Sequence, residues 1–303
     1  MRIQFFFLIA LLFAGCASRG EKLKAKYGLT NQKVILEVPF IEQADYFCGP
    51  ATLAMNLEFL GSKHSTTELS SMLFTPQMKG TFQNDMLSAT RRVGMISLPV
   101  TNLIDVIRTV NNGHPVLVFQ NLGLSWYPIW HYALVVGYHL KKNEIILHSG
   151  KYRKMRMSIS TFERTWARVD NWGLVIVQPG TIPYPATESE MVKASAGLEL
   201  AGHFAKAKLS YEKILKKWPG SSDAYLGLGN ISYEMNDFKK SIRYLKKSIE
   251  LKPDSAGAWF NYAIVLIETG DMKGAKVAAT KAISLARETL KASYQERLKI
   301  LFR

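Results

Sequence analysis

Gln43 and Cys48 have the spacing of an oxyanion donor and a nucleophile. The segment Gln-Ala-Asp-Tyr-Phe-Cys-Gly-Pro-Ala at positions 43–51 places a lone cysteine at the predicted start of a helix. A cysteine attacks as its thiolate, and the N–H groups and dipole of a helix N-terminus lower a thiol pKa. A glutamine amide can donate a hydrogen bond to the oxyanion that forms when a thiolate attacks a carbonyl. The segment therefore predicts nucleophilic catalysis, with a buried structural cysteine as the alternative.

A cysteine nucleophile needs a base that takes the thiol proton and later protonates the leaving amine. Among the six histidines of the chain, His131 is the best candidate, because it directly precedes an apolar strand predicted over 132–138. The end of a strand is rigid and can still open into a cleft. His64, His114 and His203 are instead predicted at the surface, in a turn and in a loop.

The N-terminus resembles a bacterial lipoprotein signal. Arg2 precedes an apolar run over 5–13, which is too short to span a bilayer and ends in Phe-Ala-Gly-Cys at positions 13–16. The resemblance implies a signal peptide over 1–15 and lipid, palmitate included, on Cys16, followed by a polar tether over 16–33. Acyl chains of this kind anchor a protein to a membrane. A plain secretory signal is the alternative.

The cysteine count and the charge agree with an exported, anchored protein. If Cys16 carries lipid, Cys48 has no disulfide partner and is a free thiol. The formal net charge of +15 is spread over both halves of the chain, which favours a basic surface near anionic lipid or cell wall and argues against a nucleic-acid partner. Ala17 follows the lipidated position, so we expect the periplasmic face of the outer membrane in a host with two membranes.

The elements that position these residues form two domains. Helical patterns come first, predicted over 48–60, 65–72, 83–93 and 103–110, after a strand over 34–40. Short apolar runs follow and are predicted as strands over 116–119, 132–138, 145–147 and 174–177. Helices followed by an antiparallel sheet indicate an α+β domain over 34–180.

The second domain is predicted to be all-α and repetitive. A proline-rich linker over 181–187 precedes it, and Pro219 and Pro253 are 34 residues apart. Glycine or asparagine recurs at the same interval, at Gly202, Asn236 and Gly270. Small residues recur at this interval too, at Ala207, Ser241 and Ala275. This pattern resembles tetratricopeptide repeats over about 188–287, in a domain over 188–303 that ends with a capping helix over 288–301. The resemblance implies a protein partner in a concave groove, with Asn230 and Asn261 as candidate contacts.

The Cys48 segment and the His-Tyr-Ala-Leu-Val-Val-Gly-Tyr strand at 131–138 together resemble the papain-like cysteine peptidases that cut bacteriocin leaders after a double glycine. The resemblance covers 34–180 and implies that Cys48 is the nucleophile, His131 the base and Gln43 the oxyanion donor. It implies no metal and no cofactor. The third residue of the family is an aspartate, and Ser149 takes its position here. The residue that orients His131 stays open among four candidates: Ser149, His148, Asp170 and Asn171.

Three functions are consistent with these features. The first is a lipid-anchored cysteine peptidase whose repeats recruit a protein substrate or partner. The second is a cell-wall peptide hydrolase of a related kind, in which a Cys-His-His arrangement would employ His148. The third is a catalytically inactive peptidase-like scaffold for protein–protein interaction, which the missing aspartate favours.

Overall fold

The computed structural model describes residues 18–43, 47–75 and 80–301. The expected signal peptide over 1–15 and the expected lipidation site Cys16 lie outside these residues. The chain divides into two compact units, one of Met1–Met86 with Pro99–Ile176 and one of Leu87–Leu98 with Val177–Arg303. Across the described ranges, we find no helix that is both long enough and apolar enough to cross a bilayer.

The chain up to Val177 mixes helices and strands, as the sequence predicts. Its helices are α1 (Arg19–Tyr27), α2 (Cys48–Phe59), α3 (Thr66–Leu73), α4 (Gln83–Arg92), α5 (Leu103–Asn111) and α6 (Ile159–Ala167). Its strands are β1 (Lys33–Ile35), β2 (Phe74–Thr75), β3 (Gly80–Thr81), β4 (Ile96–Pro99), β5 (Val116–Asn121), β6 (Trp130–His139), β7 (Glu144–Ser149), β8 (Tyr152–Ser158) and β9 (Gly173–Val177).

The ten-residue strand β6 is the centre of an antiparallel sheet. Strands β9, β5, β6, β7 and β8 are neighbours in that order, and β1 pairs with the C-terminal end of β6. Phe119 of β5 pairs with Tyr132 of β6, and Leu134 of β6 pairs with His148 of β7. The antiparallel sheet of the α+β prediction is therefore confirmed, and His131 is the second residue of its central strand.

Helix α2 is the buried helix of the first unit. Every residue from Gly49 to Leu57 is buried, and a helix that is enclosed on all sides is expected to be apolar all round. Thr52 and Asn56 are the polar exceptions within that stretch. Because the helix begins at Cys48, the first-turn N–H groups and the cysteine side chain share one end of the helix.

Helix α1 lies within the segment that the sequence predicts as a tether. Ser18 caps the helix, and its side-chain oxygen donates a hydrogen bond of 3.2 Å to the Leu140 carbonyl. A Cβ at Gly20 would lie 2.1 Å from the same carbonyl oxygen, so only glycine allows this contact. The segment 16–33 is therefore not an extended tether throughout, because residues 19–27 are helical and pack on the sheet domain.

The second unit contains seven helices in the described part of the chain beyond residue 187. They are α7 (Glu188–Leu200), α8 (Phe204–Lys217), α9 (Ser222–Glu234), α10 (Phe238–Leu251), α11 (Ala256–Glu268), α12 (Met272–Leu285) and α13 (Glu288–Leu301). The predicted all-helical repeat region is confirmed. Residues Leu87–Leu98 cluster with these helices.

The 34-residue period has a physical origin in the turn between paired helices. Gly202, Asn236 and Gly270 have φ of 79°, 58° and 82°, and this left-handed conformation suits glycine and asparagine. The aspartates that follow, Asp237 and Asp271, cap α10 and α12. One turn further, the small residues Ala207, Ser241 and Ala275 are fully buried, which allows close contact between the paired helices.

Candidate active site

Cys48, His131 and Gln43 line one cavity of the first unit, with a volume of about 870 Å³. Each comes from a different element: the start of α2, the start of β6 and the loop before α2. Within the described residues Cys48 is a free thiol, and it is half-buried, as is His131. The structure thus brings together the three residues that the sequence assigns to nucleophile, base and oxyanion donor.

Ser149 is the candidate that contacts the His131 ring. Its Oγ lies 2.9 Å from Nε2 of His131. The register explains the contact: Leu134 pairs with His148, so Ser149 is opposite Ala133 and diagonal to His131 on the same face. When Nε2 carries the ring proton, its N–H donates a hydrogen bond to Ser149 Oγ. The Nδ1 lone pair is then available to accept the thiol proton.

The other three candidates for the orienting residue have different surroundings. His148 is fully buried, its Nε2 lies 3.1 Å from the Val38 carbonyl, and its Nδ1 accepts from the Lys154 N–H at 3.1 Å. Both of its nitrogens are therefore occupied, and neither is available to orient His131. Asp170 and Asn171 have φ of 54° and 52° in the turn before β9, and Asp170 lies at the cavity wall.

Gln43 links the three segments that form the site. Its Nε2 donates to Thr52 Oγ1 at 3.1 Å, and its Oε1 accepts from the Gly150 N–H at 3.0 Å. Thr52 in turn donates to the carbonyl of Tyr132, next to His131, at 3.3 Å. An amide has two N–H donors, and Thr52 uses one of them. Gln43 therefore has a structural role beside the oxyanion role that the sequence predicts.

Burial makes both members of the Cys48–His131 pair prefer their neutral forms. It raises the pKa of the Cys48 thiol, and hydrogen bonds from the backbone of Tyr132, Gly49 and Cys48 offset this only in part. Burial also lowers the pKa of His131 to about 4. The sequence predicts a lowered thiol pKa from the helix N-terminus, so the net direction is the opposite, because desolvation outweighs the N–H groups.

Alkylation of Cys48 by iodoacetamide is therefore expected to accelerate continuously from about pH 6 to beyond about pH 9. A raised thiol pKa means that the reactive thiolate forms only as the pH approaches that raised value. His131 is already neutral over this whole range and adds no positive charge. The measurement is the alkylation rate against pH, with Cys48→Ala to subtract reaction elsewhere. A level rate between about pH 5 and 8 would instead reveal a thiolate–imidazolium pair.

The sequence does not reveal the aromatic wall of the cavity. Five rings contribute to it: Phe82, Phe119, Trp130, Tyr132 and Trp172. They come from four separate segments, so no local spacing in the sequence relates them. The one indication in the sequence is that Trp130 and Tyr132 are the neighbours of His131. Three charged residues also line the cavity: Lys151, Arg168 and Asp170.

Comparison with protein families agrees with this division of the chain. Residues 35–173 match the model of the Peptidase_C39 like family, and residues 222–255 and 256–289 match that of the tetratricopeptide repeat. The chain thus carries a C39-like peptidase domain followed by tetratricopeptide repeats. Among curated proteins, none matches this chain significantly.

Solved structures resemble one or the other part of the chain. A putative C39-like peptidase from Bacillus anthracis has 17% identity and a TM-score of 0.42, over 49% of this chain and 98% of its own. The TPR2B domain of yeast Sti1, in complex with pHsp70, has 17% identity and a TM-score of 0.35, over 38% of this chain and 92% of its own.

Proposed function

We propose that this chain is an exported cysteine peptidase, anchored to a membrane through lipid on Cys16, whose repeats recruit a protein substrate or partner. One observation carries the proposal: Cys48 at the start of α2 and His131 at the start of β6 line the same cavity as Gln43. The match to the Peptidase_C39 like family over 35–173 supports it.

The proposed reaction starts from a neutral thiol and a neutral imidazole. Nδ1 of His131 takes the Cys48 proton as the sulfur attacks the scissile carbonyl carbon. The oxyanion accepts hydrogen bonds from the Gln43 amide and from N–H groups at the start of α2. The C–N bond then breaks, the imidazolium protonates the leaving amine, and a thioester remains. Water, deprotonated by His131, hydrolyses the thioester and releases the acid with the regenerated thiol.

The inactive scaffold is the second candidate function, and the electrostatics of the site favour it. No carboxylate bonds to His131 among the described residues, and its ring contacts the hydroxyl of Ser149 instead. A serine accepts the imidazole N–H but provides no charge to stabilise an imidazolium. Burial raises the pKa of Cys48 and lowers the pKa of His131, and a serine does not offset the shift at His131 as a carboxylate would.

A covalent thiol-peptidase probe, an epoxide or a vinyl sulfone, separates the two functions. We expect the full chain to be labelled, Cys48→Ala to be unlabelled and His131→Ala to react much more slowly, because the imidazole takes the thiol proton. Cleavage of a fluorogenic peptide library by the same three proteins is the companion measurement. A folded wild-type chain that neither reacts with the probe nor cleaves any peptide would be a scaffold.

The repeats offer a polar row for recruitment. Asn261 donates to Asn230 at 2.7 Å, and Asn230 donates to Glu199 at 3.1 Å. These three residues, on α11, α9 and α7, line a cavity of about 200 Å³ together with Arg297. Stacked helix pairs of this kind present extended concave binding surfaces to proteins.

Asn230→Ala with Asn261→Ala is expected to reduce partner recovery roughly 10-fold, because interface energy concentrates in a few central residues. The measurement is crosslinking in cells of the Cys48→Ala chain, which would bind substrate without cleaving it. Lys246→Ala, an exposed residue of α10, is the matched control and should recover the same partners. Unchanged recovery by the double variant, with an unchanged melting temperature, would rule this row out as the recruitment site.

Cys16→Ala is expected to release the protein from membranes, because it removes the proposed attachment point for lipid. Wild-type protein should sediment with membranes and resist a carbonate wash, since several acyl chains give stable anchoring. In a host with two membranes, Ala17→Asp should move the protein from the outer to the inner membrane. Soluble wild-type protein after cell lysis would contradict the anchor.

A further inference from the structure

The loop that joins β5 to β6 exposes large apolar side chains beside the proposed active site. Trp126 is 81% exposed and Tyr127 is 67% exposed. Three other large apolar residues of the loop are also exposed, Leu122, Leu124 and Ile129, as is Trp130 at the start of β6. No charged residue occurs between positions 121 and 130. Contiguous apolar surface of this kind usually marks a site of interaction.

The loop has a fixed conformation that is built by hydrogen bonds. The Leu122 N–H donates to the Ile129 carbonyl at 2.9 Å, and the Leu124 N–H donates to the Tyr127 carbonyl at 3.0 Å. The buried Asn121 side chain accepts from the N–H groups of Gly123 and Ile129, each at 3.0 Å.

Arg168 strengthens the base of the same loop. Its guanidinium donates to the carbonyls of Asn121 and Gly123. Because the N–H groups of Leu122, Gly123, Leu124, Tyr127 and Ile129 already have partners, a ligand can cover these positions without leaving those groups unsatisfied. A loop that is ordered before binding also loses little conformational freedom when a ligand arrives.

The loop is continuous with the aromatic wall of the cavity. Trp130 stacks on Phe119 with centroids 5.7 Å apart, and Phe119 contacts Tyr132 at 4.5 Å. Tyr132 then contacts Trp172 edge-on at 5.9 Å. All four residues line the cavity that contains Cys48, and the Tyr132 side chain among them is buried. The partly exposed rings of Phe119, Trp130 and Trp172 therefore connect the cavity with the exposed residues of the loop.

We propose that residues 122–130 and the aromatic wall form a docking surface for an apolar segment of the polypeptide substrate. The peptidase would then cleave next to bulky aliphatic or aromatic residues. The inference rests on the proposed function and specifies its substrate class. The continuity with the cavity favours a polypeptide, because a chain lying in the cavity would extend directly over Trp130. Glycines around the scissile bond would leave this surface uncovered, so cleavage after a double glycine does not fit it.

The first test is cleavage of a random dodecapeptide library by the full chain, with the cleavage sites mapped by mass spectrometry. We expect Phe, Trp, Leu and Ile to be enriched on one side of the scissile bond. Trp126→Ser with Tyr127→Ser should then raise KM about 10-fold or more for the best apolar peptide, because aromatic side chains dominate such contacts. Leu200→Ser removes an apolar residue that is 90% exposed in the second unit and is the matched control, with KM unchanged. Cleavage without apolar preference would overturn the inference and leave the peptidase function intact.

Direct binding separates failure of this inference from failure of the peptidase function. The probe is a fluorescent dodecapeptide with four Phe and Leu residues. Its binding, measured by fluorescence anisotropy, is compared with that of a control peptide that has Ser and Thr at those four positions. We expect the Cys48→Ala chain to bind the apolar peptide at least about 10-fold more tightly, and the two loop substitutions to abolish the difference. If the wild-type protein cleaves nothing and binding still shows this difference, the docking surface is supported and the proposed peptidase function is rejected. Equal binding of both peptides would overturn the surface.

Sedimentation with phosphatidylglycerol and phosphatidylethanolamine vesicles tests the competing ligand. Trp and Tyr are also enriched where proteins meet the membrane interface. If the loop substitutions abolish vesicle binding by the Cys48→Ala chain and leave peptide binding unchanged, the loop is a membrane contact and the inference is overturned. If they weaken peptide binding and leave sedimentation unchanged, the inference is supported.

Discussion

Ser149→Asp is expected to accelerate probe labelling of Cys48 by about 10- to 1000-fold near neutral pH, because a carboxylate beside an imidazole raises its pKa by roughly 1–3 units. In the present structure the hydroxyl of Ser149 lies 2.9 Å from His131 Nε2, and burial lowers the pKa of His131 to about 4. A carboxylate would stabilise the imidazolium and, through it, the thiolate of Cys48. It would also fix the tautomer, because a carboxylate only accepts hydrogen bonds.

Ser149→Asn is the matched control, because it has the size of aspartate and the acceptor but no charge. We expect it to label at a rate close to that of wild type. The labelling rate measured against pH is a second test. Below neutral pH, the aspartate variant should still be labelled at an appreciable rate, whereas the asparagine variant should not. Equal rates for the two variants, both folded, would mean that position 149 does not control the charge state of His131.

Gln43→Glu is expected to lower peptide hydrolysis by about 100- to 1000-fold, because it replaces an oxyanion donor by a group that repels the oxyanion. Glutamate keeps one structural contact, because one oxygen can accept from the Gly150 N–H. The other oxygen can accept from the Thr52 hydroxyl only if that hydroxyl turns its proton away from the Tyr132 carbonyl. Gln43→Ala is a poorer test, because it leaves the partly buried Gly150 N–H without its acceptor, which costs up to about 1–3 kcal/mol.

Alkylation by iodoacetamide separates the two roles of Gln43, because this reaction forms no oxyanion. For Gln43→Glu, the loss in hydrolysis should exceed any loss in alkylation rate by at least about 10-fold. Thr52→Ser keeps the hydroxyl that Gln43 contacts and should stay near wild type in both assays. Parallel losses in hydrolysis and alkylation would mean that Gln43 acts only through the shape of the site.

The elements with strong local patterns could be predicted from the sequence, and the others could not. The helix that begins at Cys48 and the apolar strands β5, β6, β7 and β9 match the predicted runs closely. Helix α6 and strand β8 were missed: polar and charged residues lie among the four buried residues of α6, and no residue of β8 is fully buried. The predicted strand over 34–40 is only Lys33–Ile35, because the chain leaves the sheet ladder early.

In the candidate active site, too, features set by local sequence could be predicted, and features set by contacts between distant segments could not. Cys48, Gln43 and His131 lie in local motifs, so their types and spacing could suggest their roles. The contact of His131 with Ser149 depends on the pairing of β6 with β7, which residue types alone do not specify. The direction of the Cys48 pKa was predicted wrongly, because the sequence indicates the helix start but not how deeply the thiol is buried.

The docking of α1 limits how far the first unit could stand from a membrane. Ser18 contacts Leu140 of the same unit, and only Ala17 separates it from the proposed lipidated Cys16. Two residues span at most about 7 Å. A lipid on Cys16 would therefore hold this unit against the headgroups, because no long flexible linker separates the two. Its search for substrate would then be confined to two dimensions, among proteins and peptides that share or approach that membrane surface.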